Sequence, residues 1–176
     1  MSVLVAYASR HGATKGIAER IGDRLRVAGL DVEVVPARHA RRPEAYDAVI
    51  VGSATYMFRW LGGASRFLRK HRAVLSSRPV WLFSSGPLGP DEPNADGQDP
   101  RTVAGPRNAA ELVGSVDARD HHVFFGAFDP QAGPVGVTER LLFLLPAARR
   151  DLPAGDFRDW PEIESWADAI ASELIH

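Results

Sequence analysis

The 176-residue sequence contains no cysteine, so disulfide bonds, thiolate metal sites and thiol nucleophiles are excluded. It also lacks an excess of positive charge, because 21 Lys and Arg stand against 22 Asp and Glu. That balance argues against a sequence-independent nucleic-acid binder, which needs basic residues to neutralise phosphates. Any redox chemistry therefore requires a bound cofactor.

Long hydrophobic runs are missing as well. The longest apolar stretch of the C-terminal half, Leu141 to Ala148, is far shorter than the roughly 20 residues that cross a bilayer. The N-terminal run from Met1 to Tyr7 has no basic start and passes directly into a polar loop, which indicates a strand and not a signal peptide. We expect a cytoplasmic protein without a transmembrane segment, and peripheral contact with the inner face of a membrane stays open.

Five short apolar runs rich in β-branched and aromatic residues predict strands. They are Val3 to Ala8, Val32 to Val35, Ala48 to Gly52, Pro79 to Ser84 and His122 to Phe128. The first, third and fourth runs are almost continuously apolar. That is typical of parallel strands covered by helices on both faces.

Apolar residues at helical spacing predict helices between these strands. The segments are Thr14 to Val27, Leu61 to His71, Pro106 to Val113, Val137 to Arg149, and a last helix in which Asp159 and Glu162 form a capping box. Gly86 to Gly105 is rich in proline and glycine and is predicted to be a long loop. The alternation of strands and helices predicts an α/β fold with a doubly wound, five-stranded parallel sheet, as one domain over residues 1–176.

The loop after the first strand has the composition of a phosphate site. It holds a hydroxyl residue, a glycine and a threonine that opens a helix, in the order Ser9, Arg10, His11, Gly12, Ala13, Thr14. Backbone N–H groups at a helix N-terminus suit a phosphate. The P-loop pattern of nucleotide triphosphatases, the dinucleotide Gly-x-Gly-x-x-Gly pattern and the acidic residues of phospho-receiver domains are all absent at the corresponding places. An ordinary capped turn is the alternative interpretation.

The chain resembles the flavodoxin-like family through this loop, although His11 stands where that family usually has threonine. Within the family, Val49 to Tyr56 and Phe67 to His71 are most similar to the menaquinone-dependent protoporphyrinogen oxidases. The resemblance implies a flavodoxin-like fold. It also implies that Val137 to Leu145 stands where those oxidases carry an extra segment, and a helix covering the sheet is an equally good interpretation of that stretch.

The resemblance further implies FMN, bound without a covalent bond, with its phosphate on the first loop and its ring between two others. The implied cofactor-binding residues are Ser9, Arg10, His11, Gly12, Ala13, Thr14, Ser53, Ala54, Thr55, Tyr56, Trp60, Ser84, Ser85, Gly86, Pro87 and Leu88. Aromatic side chains offer faces for stacking, and hydroxyls and close backbone groups face the polar ring edge. No catalytic side chain and no metal ligand are predicted, and we expect His121 and His122 to be packed or solvated.

These features lead to a ranked set of hypotheses. The first is an FMN-dependent oxidoreductase that resembles protoporphyrinogen oxidase, with an unidentified redox partner or quinone. The alternatives are an electron carrier, a protein that binds a deazaflavin coenzyme, and a domain without cofactor. The near-neutral charge and the absence of glycine from Ser53 to Trp60 favour the oxidoreductase over the carrier. Neither the redox partner nor the oligomeric state follows from the sequence.

Overall fold

A computed structural model of the protein describes residues 1–129, 131 and 153–176. Five parallel strands form its central sheet: β1 (Ser2–Ala8), β2 (Asp31–Pro36), β3 (Ala48–Tyr56), β5 (Val80–Ser85) and β6 (Asp120–Phe124). They lie in the order β2-β1-β3-β5-β6, and the two-residue strand β4 (Arg59–Trp60) pairs antiparallel with β3. A separate antiparallel pair joins β7 (Ala127–Phe128) to β8 (Gly155–Asp156).

The helices of the described residues cover both faces of the sheet. They are α1 (Ala13–Val27), a 3-10 turn at Pro43–Ala45, α2 (Gly62–Leu75), α3 (Pro100–Ala104), α4 (Ala109–Val116) and α5 (Trp160–Ile175). Among these residues no helix is long and apolar enough to cross a membrane. The predicted helix over Val137 to Arg149 lies outside the described residues.

Alternation along β1 divides the core into two layers. Val3 and Val5 pack in the cluster that contains α1 and α5, whereas Leu4 and Ala6 pack in the cluster that contains α2 and α4. All four side chains are fully buried, and burying an aliphatic side chain of the size of Leu4 stabilises a fold by about 1.5–3 kcal/mol. The doubly wound α/β fold expected from the apolar strands is therefore confirmed.

The register of the sheet brings the carboxyl ends of four strands into one row. Ala8 pairs with Ser53, Ala54 pairs with Ser85, and Ser85 pairs with Phe124. The chain reverses its direction of travel across the sheet between β1 and β3. Ligands of doubly wound sheets bind at such a switch point, beyond the carboxyl ends of the strands.

Several boundaries differ from the expectations: the predicted helix Pro106 to Val113 spans Ala109–Val116, and the predicted strand Ala48 to Gly52 continues to Tyr56.

Two further differences lie at the carboxyl edge of the sheet. The predicted strand His122 to Phe128 is wrong in extent, because the backbone leaves the sheet after Phe124 and the Gly126 N–H donates to the Pro87 carbonyl at 2.8 Å. The predicted loop Gly86 to Gly105 contains α3, in which the Asp99 side chain accepts the Arg101 N–H at 2.7 Å. Short helices capped by one side chain leave a weak periodic signal, and this one escaped detection.

Arg101 fastens that loop to the last helix. Its guanidinium donates to both carboxylate oxygens of Asp91, at 2.5 and 2.8 Å, and to Glu162 at 3.1 Å. Glu162 also lies 3.0 Å from His122, and its backbone N–H donates to Asp159. The predicted N-cap of α5 by Asp159 is confirmed. The Glu162 carboxylate does not complete the predicted capping box, because it accepts from Arg101 and contacts His122 instead, and so anchors the loop.

Gly52 provides a stability test of the packing between β3 and β5. A Cβ at this position would lie 1.9 Å from Cζ of Phe83, which is fully buried. Because Phe83 cannot yield without disturbing the core, we expect Gly52→Ala to lower the free energy of unfolding by about 1–3 kcal/mol or more. Urea unfolding followed by circular dichroism measures the change.

Gly114→Ala is the matched control, because a Cβ there meets nothing within 4 Å and Gly114 lies inside helix α4. This control should be neutral or stabilising by up to about 1 kcal/mol. Equal unfolding midpoints for the two variants would contradict the packing argument.

Candidate functional site

A cavity of about 340 Å³ opens at the carboxyl edge of the sheet. Its walls come from the loops that follow β1, β3, β5 and β6. The lining residues are Ser9, Arg10, His11, Ala13, Thr14, Ala54, Thr55, Tyr56, Met57, Ser85, Gly86, Leu88, Gly126, Ala127 and Phe128. The volume lies within the range of small-molecule sites.

The first wall is the loop that leads into α1. Gly12 adopts a left-handed φ of +90°, and its N–H donates to the Ser9 hydroxyl at 3.1 Å. Among the described residues, no side chain caps the N-terminus of α1, and amides at the start of a helix suit an anion. Thr14 lies in that turn and is 1% exposed. The loop thus combines a helix N-terminus with a buried hydroxyl residue.

The second wall is the hairpin between β3 and β4. Met57 and Phe58 form its two-residue turn with φ of +48° and +60°, a conformation that usually requires glycine or asparagine. Each such residue costs about 1–2 kcal/mol relative to the ordinary backbone. The Arg107 N–H donates to the Phe58 carbonyl at 3.0 Å, and its guanidinium lies 4.4 Å from the Phe58 ring centroid. Arg107 therefore helps to hold this turn beside the cavity.

The third wall is the loop after β5, which approaches the hairpin closely. A Cβ on Gly86 would lie 3.0 Å from the Thr55 Cβ, so glycine allows the two loops to come together. The Gly86 N–H donates to the Phe124 carbonyl at 3.2 Å. This bond ties the loop to the end of β6, where Gly126 to Phe128 complete the cavity.

The structure brings most of the predicted binding residues together and leaves others outside. Ser53 and Ser84 are fully buried and Trp60 is 6% exposed, and none of the three lines the cavity. The Trp60 indole N–H donates to the Ser84 hydroxyl at 2.7 Å, and the Ser53 hydroxyl accepts the Leu61 N–H at 3.0 Å. These residues support the walls from behind. Gly12 lines the neighbouring surfaces and Pro87 is buried beside the cavity.

Sequence reasoning missed Met57, Gly126, Ala127 and Phe128. Met57 lies between Ser53 and Trp60, a segment in which the aromatic residues were the expected ring contacts. The other three follow the last strand, and the rule that parallel strands present their carboxyl ends on one edge would have indicated them. They were hidden because the strand was expected to continue through Phe128.

Comparison with known proteins identifies the family to which this fold and cavity belong. A family model described as a flavodoxin domain matches residues 4–133. The chain belongs to the flavodoxin domain family. Membership implies binding of FMN and a redox role.

Solved structures agree with this flavodoxin-domain fold. An archaeal flavodoxin superposes on this chain with a TM-score of 0.62 and is 18% identical in sequence. A variant of a Pseudomonas aeruginosa flavodoxin superposes with a TM-score of 0.60 and is also 18% identical. Both alignments cover 100% of each chain. At this identity the likeness establishes the fold.

A curated relative of the flavodoxin domain adds a narrower likeness. Protoporphyrinogen IX dehydrogenase (quinone) from Escherichia coli K12 is 27% identical over 86 residues, which is 48% of this chain and 48% of that protein. The chain thus spans about half the length of the curated relatives it matches.

The flavodoxin-domain cavity fits a flavin phosphate in its donor set. Its hydroxyl residues and helix amides are neutral donors for a phosphate, and its apolar walls suit a planar ring. The Thr55 hydroxyl is buried and has no hydrogen-bond partner among the described residues. A buried polar atom without a partner is unfavourable, and a ligand with a polar edge would satisfy it.

Behind the cavity of this flavodoxin domain, Ser84 connects Trp60 to His121. Nε2 of His121 lies 2.8 Å from the Ser84 hydroxyl, which already accepts the Trp60 N–H. Ser84 can therefore donate its own hydrogen to a neutral imidazole. Burial lowers the pKa of His121, and Asp120 partly offsets that effect. Both observations favour the neutral histidine.

His121 should make the stability of the protein depend on pH. In the unfolded chain this histidine binds a proton at about pH 6.5, whereas in the folded protein it binds a proton only at lower pH. The free energy of unfolding therefore falls as the pH drops below about 6.5. We expect the free energy of unfolding to decrease between about pH 7 and about pH 5, and less steeply in His121→Gln. Urea titrations across this range measure the slopes.

His176→Gln is the control, because His176 is an exposed terminal residue. His71, whose pKa burial also lowers, contributes the same background to all three proteins. Parallel slopes for the wild type and His121→Gln would remove His121 from this role.

Proposed function

We propose that this chain is an FMN-dependent oxidoreductase whose cofactor occupies the 340 Å³ cavity. The observation that carries the proposal is that the Ser9 to Thr14 loop and the loops after β3 and β5 line one cavity. Ser9, Thr14 and the amides of the first turn of α1 would hold the phosphate. Tyr56 and Leu88 would face the ring from opposite loops.

The bound flavin supplies the electron chemistry, and the protein binds and orients it. The Thr55 hydroxyl and the backbone around Gly86 offer polar contacts to the ring edge. The Arg10 guanidinium lies 4.4 Å from the Tyr56 ring centroid and holds the aromatic wall in place. Leu88 and Phe128 exclude water from the apolar side. No side chain in this arrangement needs to act as a general acid or base.

Thr14→Val tests the phosphate assignment, because it removes a buried hydroxyl and keeps the shape of the side chain. We expect FMN affinity to fall by about ten- to a hundredfold, since one hydrogen bond to a charged group contributes about 1.5–3 kcal/mol. Affinity for riboflavin, which lacks the phosphate, should stay unchanged. Quenching of flavin fluorescence measures both affinities.

Thr102→Val is the control for this substitution, because Thr102 is exposed on α3 and lies outside the cavity. It should bind FMN like the wild type. A wild-type protein that binds riboflavin as tightly as FMN would contradict the phosphate assignment, and one that binds neither would contradict the proposed function.

We propose further that the electron acceptor is a quinone and the donor a reduced tetrapyrrole of the protoporphyrinogen type. The named relative, at 27% identity over half of its length, supports this narrower function. Each two-electron transfer would remove two electrons and two protons from the donor and convert the quinone to its quinol. Met57, which is 73% exposed at the cavity rim, offers an apolar contact for such an acceptor.

Met57→Ser tests the acceptor site. Loss of the apolar side chain should lower kcat/KM for menadione about five- to thirtyfold, because burial of a side chain of this size contributes about 1–2 kcal/mol in a partly open site. Its FMN affinity should be unaltered. Stopped-flow oxidation of the reduced, flavin-loaded protein under anaerobic conditions gives the rate.

Val103→Ser is the matched control, because Val103 is 44% exposed and does not line the cavity. Negligible oxidation of the wild type by quinone, with rapid one-electron exchange with redox proteins, would favour the electron carrier instead. The deazaflavin alternative has no support from the relatives described above.

A further inference from the structure

A second concave surface adjoins the cavity on the far side of Arg10. It consists of two neighbouring grooves of about 660 and 130 Å³ that share Arg38, Gly63 and Arg66. We call this surface the basic face, defined by its six Lys and Arg residues. They are Arg10, Lys15, Arg38, Arg41, Arg66 and Lys70.

Among the residues that the structure describes, no carboxylate lines the basic face. This separation is unexpected in a chain with a net charge of −1. Residues 37–72 hold eight Lys and Arg against two Asp and Glu, so the negative charge must lie elsewhere on the molecule. The near-neutral total therefore hides a strongly polarised surface, and such a surface steers charged partners.

Within the described part of the chain, the acidic groups beside the basic face offset its charge only in part. Glu19 lies 3.5 Å from Lys15 on α1, and both side chains are about half exposed, so their attraction is weak. Glu44 acts on His71, the imidazole that lines the smaller groove. The pKa of His71 is lowered by burial first and then by the charge of Lys70.

The basic face is continuous with the cavity. Ser9 and Arg10 line both, and the Arg10 guanidinium lies against the Tyr56 ring. From there the charges extend along the first three turns of α2 through Arg66 and Lys70. A partner seated on this face would therefore touch the edge of the cavity.

We propose that the basic face docks an acidic redox protein that exchanges electrons with the cofactor, a proposal that rests on the FMN-dependent function above. The six charges span two grooves, which suits the protruding carboxylates of a protein surface. Complementary charge of this kind raises the association rate and orients the partner. In such an exchange, two one-electron centres of the partner would each gain one electron from the cofactor held beside the face, and the two protons released with those electrons would pass to solvent.

Native and succinylated cytochrome c form a matched pair of probes, because they share one haem and differ in surface charge. The native protein is basic, and succinylation makes it acidic. We expect the chain to bind the succinylated probe about tenfold more tightly than the native one at low salt, and the preference to vanish at high salt. Isothermal titration with and without bound FMN measures this without relying on activity.

The double variant Arg38→Glu and Arg66→Glu reverses the centre of the basic face. It should lose at least about tenfold in affinity for the succinylated probe at low salt. Electron transfer to that probe should then speed up with added salt, whereas it slows in the wild type. Arg119→Glu is the control, because Arg119 is exposed beside β6 at the opposite edge of the sheet. This control should change the affinity for the succinylated probe and the rate of electron transfer by less than about twofold each.

Equal binding of the two probes by the wild type would overturn the proposal. So would unchanged affinity in the double variant, or binding to anionic phosphatidylglycerol vesicles without binding to the acidic probe. FMN affinity is measured separately by fluorescence. Failure of flavin binding alone would contradict the FMN-dependent function, whereas salt-sensitive binding of the acidic probe by the flavin-free chain would still support the docking surface.

Discussion

The parallel register of β1, β3, β5 and β6 is the constraint on which the rest of the structure depends. It places Ala8, Ser53, Ser84 and Val123 in one row. Every loop of the cavity starts from that row, so loops distant in sequence meet without long excursions. The register in turn depends on close packing in the sheet, where Gly52 leaves room for the Phe83 ring.

Behind the cavity, buried polar contacts fix loops that would otherwise be free to move. Ser84 accepts the Trp60 N–H and contacts His121, and Ser53 accepts the Leu61 N–H. These contacts hold the hairpin that carries Tyr56 and the left-handed Met57 and Phe58. A strained turn can persist when its surroundings determine it this fully. The hydroxyls that resembled ligand contacts are therefore part of the scaffold.

The charged side chains are distributed unevenly over the surface. The net charge is close to zero, and a value near zero argues against an electron carrier that attracts its partners by net charge. The positive groups nevertheless lie together on one side of the cavity. Net charge describes solubility and average attraction, whereas the position of each charge decides what approaches the cofactor. An oxidoreductase with a polarised surface can use a protein partner as well as a small acceptor.

The apolar runs and helical spacing of this chain determined its fold class, because strands buried on both faces must be almost continuously apolar and helices must repeat every 3.6 residues. The sequence also predicted the position of the Ser9 to Thr14 loop after the first strand, because the residues of this loop are neighbours in sequence. Only the tertiary structure decided that Trp60 and Ser84 pack behind the cavity, that Phe128 lines it, and that Arg38 and Arg66 share a groove. Those contacts join segments that are distant in sequence. They depend on how the strands pair, and local composition does not determine that pairing.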